Sequence, residues 1–219
     1  MSGEGGGADS PQFRPGGDDA TGAAAGPQAV APAEVLEFWF GPSDAPDAGK
    51  PRKAWFTKDE AFDAQVRARF GALIASAMRG ELDHWLDAPD SALAYLILLD
   101  QFTRNAFRGT ASSFAGDARA LAAARRIVER GWDLAMTPAH RWFSYLPFEH
   151  SERIEDQRES LRLFGLLRDD PVAGGAYEWA VRHFEVIERF GRYPHRNAIL
   201  GRPSTPAELE FLAQPGSSF

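Results

Sequence analysis

The 219-residue chain has no cysteine, which excludes disulfides, thiolate nucleophiles and cysteine-ligated zinc. No window approaches eighteen uncharged apolar residues, and no basic stretch followed by an apolar run opens the sequence. Neither a spanning helix nor a secretory leader is expected, and a soluble, cytoplasmic protein is the default reading. No segment of five or more residues alternates with period two, so strands are not expected. HExxH is absent, and no serine sits in a nucleophile elbow. The glycines of residues 3–7 precede neither a strand nor a helix. With these motifs go the metalloprotease, dinucleotide-binding and α/β-hydrolase readings, and nothing that remains calls for a metal or a cofactor. Basic residues are in deficit, 24 Lys and Arg against 31 Asp and Glu, for a net charge of −7. A nucleic acid or an anionic membrane surface is therefore not an expected partner.

What is present is 44% hydrophobic, enough for one domain with a sizeable core. Residues 1–31 hold eight glycines and three prolines, with Phe13 and Val30 as the large apolar side chains. Such a stretch cannot offset its chain entropy by burial, and a disordered tail is expected there. Residues 32–215 read as one all-helical domain. Helices are expected from Pro32 to Phe40, and from a capping box at Thr57–Glu60 to about Arg79. After Pro89-Asp90 comes a segment apolar nearly all round, Leu93 to Leu99, which belongs at the centre of the fold. Further helices are expected over Asp117–Glu129, from Thr137-Pro138 to a stop at Pro147, from a Ser151 cap onward, over Tyr177–Phe190, and from Ser204 or Thr205 through Leu212. Connections of four to ten residues favour antiparallel hairpins stacked as a short α-solenoid.

The chain inverts its charge locally near the C-terminus. Four arginines and His195 fall between Arg189 and Arg202 with no acid among them, framed by Gly191, Pro194, Gly201 and Pro203. Arg192, Arg196 and Arg202 offer planar donor forks for carboxylate or phosphate, with Asn197 among them and a helix start at Ser204-Thr205 behind. The structural reading of the same residues is complementation of a helix dipole and pairing with Glu149, Glu152 or Asp156. In a second motif, Glu149-His150-Ser-Glu152 with Asp156, the two acids Glu152 and Asp156 are spaced to share a helix face with His150 before its start. Such a set can bind a divalent metal, though its spacing is no zinc signature, or serve as acid and base, or form a structural network with the arginines. A third motif follows the most apolar helix: Asp100 and Arg104 at i, i+4, with Gln101 and Asn105 beside them. His84, His140 and His183 each neighbour an aromatic residue and read as half-buried packing groups.

Taken together, Leu99-Asp-Gln-Phe-Thr-Arg-Asn-Ala-Phe-Arg-Gly109, Leu146-Pro-Phe-Glu-His-Ser-Glu152 with Asp156-Gln157, and Arg189-Phe-Gly-Arg-Tyr-Pro-His-Arg-Asn197 with Leu200-Gly-Arg202 and Ser204-Thr-Pro206 resemble the family known as domain of unknown function 924. The likeness spans roughly residues 33–213. It implies a TPR-like helical fold and no particular activity. Thr103 stands where the family pattern has a proline. The three motifs are expected to converge in one polar pocket that binds a small anionic ligand, phosphate- or carboxylate-bearing. The alternative is a protein-binding module that receives a peptide or partner helix, with the polar cluster serving only the fold. The sequence leaves open whether a bound ligand is turned over.

Overall fold

A computed structural model describes Met1 and residues 30–217. The expected tail therefore lies, apart from Met1, Val30 and Ala31, outside the described residues. Among the described residues the chain is all-helical, without a strand. Its helices are α1 (Pro32–Phe40), α2 (Glu60–Met78), α3 (Pro89–Ile97), α4 (Thr103–Ala106), α5 (Asp117–Glu129), α6 (Pro138–Glu149), α7 (Ile154–Gly165), α8 (Ala176–Phe190) and α9 (Pro206–Leu212). None is long and apolar enough to cross a membrane.

The most apolar segment is indeed the centre. Leu93, Leu96, Ile97, Leu98 and Leu99 are all 0% exposed, and each such burial contributes about 1.5–3 kcal/mol. Helix α3 packs against α1, α5 and α6, while α5 packs on α6, α6 on α7 and α7 on α8. Trp39, Phe102 and Phe143 close one end of the core through edge-to-face contacts, with centroids 5.5 to 5.6 Å apart. The α3 backbone does not stop at Ile97. It widens into a π-helical segment, Leu98–Phe102, before resuming as α4. Thr103, the departure from the family pattern, uses its hydroxyl to bond the Leu99 carbonyl at 2.8 Å. The same carbonyl explains Gly116, since a Cβ there would stand 2.1 Å from the Leu99 oxygen. Glycine lets the start of α5, and with it Asp117, close onto the π segment.

Three expected boundaries move. Helix α2 is capped by Asp59, which accepts from the Ala61 and Phe62 N–H groups at 2.9 and 3.1 Å; Thr57 lies outside the helix. Asp59→Ala should cost about 1 kcal/mol in urea unfolding, and Thr57→Ala much less. Pro147 does not end α6. Its missing N–H forfeits only the bond to the Phe143 carbonyl, its ring is buried, and the ladder resumes at once with the His150 N–H on the Leu146 oxygen at 2.9 Å. That extra turn delivers Glu149 and His150 to the centre of the molecule. Helix α7 starts at Ile154, with Arg153 at its N-cap position. Ser151 instead donates to the Asp156 carboxylate at 2.7 Å. Glu152 thus precedes the helix and shares no face with Asp156.

Candidate functional site

The π segment carries the most deeply buried acid of the site. A π turn re-aims the side chains it bears, and such turns recur at functional sites. Asp100 is 0% exposed, and three groups converge on its carboxylate: His150 Nδ1 at 2.7 Å, Gln101 Nε2 at 2.6 Å and Arg104 Nη1 at 3.2 Å. Arg104 also donates to the Asp100 backbone carbonyl at 2.6 Å and grips Asp117 with two bonds of 2.8 and 3.2 Å. Asp117 in turn accepts a longer bond, 3.3 Å, from Arg196 Nη1. The Arg196 guanidinium lies over Phe114 and Tyr193, 4.7 and 4.6 Å from the ring centroids, and its buried Nε has no hydrogen-bond partner.

Burial sets the protonation of the neighbours. For Asp100, desolvation pushes the pKa up, but the His150 and Arg104 contacts outweigh it and hold the carboxyl below its ordinary range. Glu149, 4% exposed, is pushed the other way to about 8, by burial first and the Asp100 charge second. His183 falls to about 3 and His195 to about 4, each chiefly by burial. His150 is lowered by burial and by Arg104, against the pull of Asp100. At neutral pH the site therefore holds an ionised Asp100 beside cationic Arg104, with three neutral imidazoles and an uncharged Glu149. The 3.3 Å approach of His183 Nδ1 to Glu149 Oε1 is accordingly a contact of neutral groups. Two carboxyls of one site, driven apart in pKa, are a usual mark of divided acid and base duties.

Of the residues singled out from the sequence, Asp100, Arg104, Glu149, His150, His195 and Arg196 come together here. His195 senses the charges of Arg196, Glu152 and Arg104. Glu152, Asn197 and Arg202 form an adjoining lock on the C-terminal loop: Arg202 holds Glu152 at 2.7 and 2.9 Å and bonds Asn197 Oδ1 at 3.0 Å. The remaining three stand apart. Arg192 is bidentate on Glu208 at 2.6 and 2.8 Å. Asp156 pairs with Arg125 and Ser151. Asn105 bonds Asp63, which Arg108 also holds at 2.7 Å. Nor is the start of α9 an open donor site. The Thr205 N–H goes to Glu208 Oε2 at 2.7 Å and the Glu208 N–H to Thr205 Oγ1 at 3.3 Å.

Sequence reasoning missed Asp117, His183 and Tyr193. Asp117 reads as an acid in a first helical turn, and His183 as a packing residue beside Phe184. Yet His183 falls on the buried stripe of α8 with Ile187, and a histidine on such a stripe is a signal in itself. Tyr193 donates its hydroxyl to the Glu149 carbonyl and accepts from Gln157 Nε2 at 2.8 Å, tying the C-terminal loop to the end of α6. Among the described residues, no group of three or more His, Asp and Glu is placed to hold a metal ion. A surface hollow of about 540 Å³ borders the neighbouring Arg192–Glu208 pair.

These features define an all-helical protein with a buried acid–histidine–arginine cluster between a π turn and a C-terminal loop. Residues 35–216 match the model of a bacterial protein of unknown function (DUF924), and the chain belongs to that family. It is similar to a solved structure, the protein of unknown function ATU0120 from Agrobacterium tumefaciens. The identity is 41% and the TM-score 0.72, over 83% of this chain and 96% of that one. No curated protein matches.

Proposed function

We propose that the cluster binds a small anionic ligand, carboxylate- or phosphate-bearing, through Arg196. The single observation that carries this reading is the unspent hydrogen-bonding capacity of a buried guanidinium. Arg192 and Arg202 each satisfy a carboxylate with two short bonds. Arg196, by contrast, has one bond of 3.3 Å to an acid that Arg104 already holds at 2.8 Å. The formal charges of Arg104, Arg196, Asp100 and Asp117 cancel, so the attraction for an anion comes from local donors and not from a pool of positive charge. The two rings fix the guanidinium plane, which lowers the entropy lost when its edge is engaged. His195 and His150, neutral in the free protein, gain a reason to protonate when an anion arrives, so affinity should rise as pH falls below neutral.

The succession α5 to α8, each helix packing on the next, fits a TPR-like stack of hairpins on which this site is mounted. A thermal-shift series with inorganic sulfate, inorganic phosphate and small dicarboxylates tests the binding. An anion at a hundred times its Kd should stabilise the wild type by about 2.7 kcal/mol. Arg196→Ala should abolish that shift and cost less than about 1 kcal/mol by itself, because Asp117 keeps Arg104. Arg192→Ala should lower the melting temperature and leave the shift intact. No shift with any anion, or a loss of about 3–5 kcal/mol in Arg196→Ala, would overturn the assignment. The peptide-binding reading would then lead, starting from Leu166 and Trp179, 53% and 48% exposed at one end of the α7–α8 hairpin.

A further inference from the structure

The anion site accounts for Arg196 and the two rings that hold it. It leaves unexplained why a fully buried carboxylate sits behind His150. Ionised Asp100 can only accept, so the 2.7 Å bond obliges His150 Nδ1 to carry the proton. The neutral ring then presents Nε2 as a lone pair. Gln101 and Arg104 fix Asp100 from its other sides, so the carboxylate cannot swing away. A turn of helix that runs past Pro147 fixes the backbone of His150 itself. The His150 side chain is 14% exposed, the Arg104 side chain 20% and Asp117 23%, so the cluster reaches solvent on this side. Next to His150, the buried Oε2 of Glu149 has no hydrogen-bond partner. A polar atom stranded at that depth, beside an imidazole aligned by a carboxylate, is more than folding requires.

We propose that His150 is a catalytic general base and Asp100 its positioning residue, acting on a small substrate whose anionic group is held by Arg196. This rests on the anion-binding reading above. In the step, an X–H bond of the substrate or of a water beside it breaks. The proton forms a new N–H bond at His150 Nε2, and the bonding pair stays on X. The imidazolium so formed is neutralised by Asp100, as the charge growing on X is by Arg196. The proton held at His150 Nε2 then passes to the leaving atom or to solvent, which restores the neutral imidazole. Acting in this way, the cluster fits proton abstraction or hydrolysis of a carboxylate or phosphate compound without any redox partner.

The test needs no knowledge of the substrate. Diethyl pyrocarbonate acylates neutral imidazole, and the rate at each histidine can be followed by peptide mass spectrometry, with exposed His84 as the internal reference. His150 should react at neutral pH, and Asp100→Asn should slow it at least about tenfold while leaving His84 unchanged, because an amide no longer enforces the Nδ1–H tautomer. Sulfate should slow it in the wild type and not in Arg196→Ala. If Asp100→Asn fails to fold, ¹⁵N NMR of the wild-type imidazoles decides the same point: Nδ1 protonated and Nε2 bare at neutral pH is the expected result. An inert His150 beside a reactive His84, or the opposite tautomer, overturns the base. If sulfate still raises the melting temperature only when Arg196 is present, the anion site survives that failure. If no anion shifts the melting temperature of the wild type, the anion site fails, and the proposal falls with it.

Discussion

Arg104→Ala is expected to cost about 3 kcal/mol at pH 8, and distinctly less at pH 6. The guanidinium serves Asp100, the Asp100 backbone carbonyl and both oxygens of Asp117, so its removal strands one carboxylate that is fully buried. Breaking a buried pair from one side costs about 3–5 kcal/mol, and the lower end applies because the Arg104 side chain is 20% exposed. The pH dependence comes from His150. Arg104 is among the causes that hold its pKa down while Asp100 pulls it up, so deleting the arginine frees the imidazole to charge. A group whose folded pKa rises gives stability that is present at low pH and lost as pH climbs through that pKa. In the variant, His150 therefore replaces Arg104 as the counter-charge of Asp100 in acid, and cannot do so in mild base. Urea unfolding at the two pH values measures the difference. A uniform loss below about 1 kcal/mol would mean that these contacts behave as a surface pair.

That coupling of Asp100 to His150 across fifty residues marks where the sequence stops being informative. Periodicity and punctuation place the helices well: Gly80, Gly131 and Gly191 take positive φ just past the helix ends expected at about Arg79, Glu129 and Phe190. The apolar run at Leu93–Leu99 announces the centre of the core. What composition cannot show is a turn whose meaning depends on a partner. Pro147 reads as a stop and is instead a late, buried position in a helix that the core holds in place. The π widening at Leu98–Phe102 has no local signal, and neither has the close approach of Gly116 to its Leu99 carbonyl, a contact between segments distant in sequence. Likewise, the Arg-rich loop is legible as three donor forks, Arg192, Arg196 and Arg202, but which of them finds an acid depends on distance. Glu152 went to Arg202 and Glu208 to Arg192, and only then does Arg196 stand out.

The stability of the wild type relative to Glu149→Gln should fall by about 1.6 kcal/mol between pH 6.5 and 8. Glu149 titrates near 8 in the folded protein against an ordinary value of 4.5, so over the interval between them the native state holds one proton more than the unfolded chain. Stability then declines as pH rises, by about 1.4 kcal/mol per unit at most. Below pH 6.5 the decline is masked. His183, lowered to about 3 from an ordinary 6.5, binds fewer protons folded than unfolded, so its contribution still rises by about 0.4 kcal/mol between pH 6.5 and 8 and is lost as pH falls further. His195 and His150 act in the same direction. The groups facing Glu149 are His183, Asp100 and Tyr193, and of these Asp100 is already ionised and Tyr193 is shifted upward by burial. The histidine contributions are common to the wild type and Glu149→Gln, so the difference between the two curves from 6.5 to 8 is left to Glu149. A glutamine brings an amide with few partners, which shifts the whole curve by an amount independent of pH, so the diagnostic quantity is the slope and not the offset. Wild-type and variant curves that run parallel from 6.5 to 8 would show that Glu149 is ionised in the resting protein.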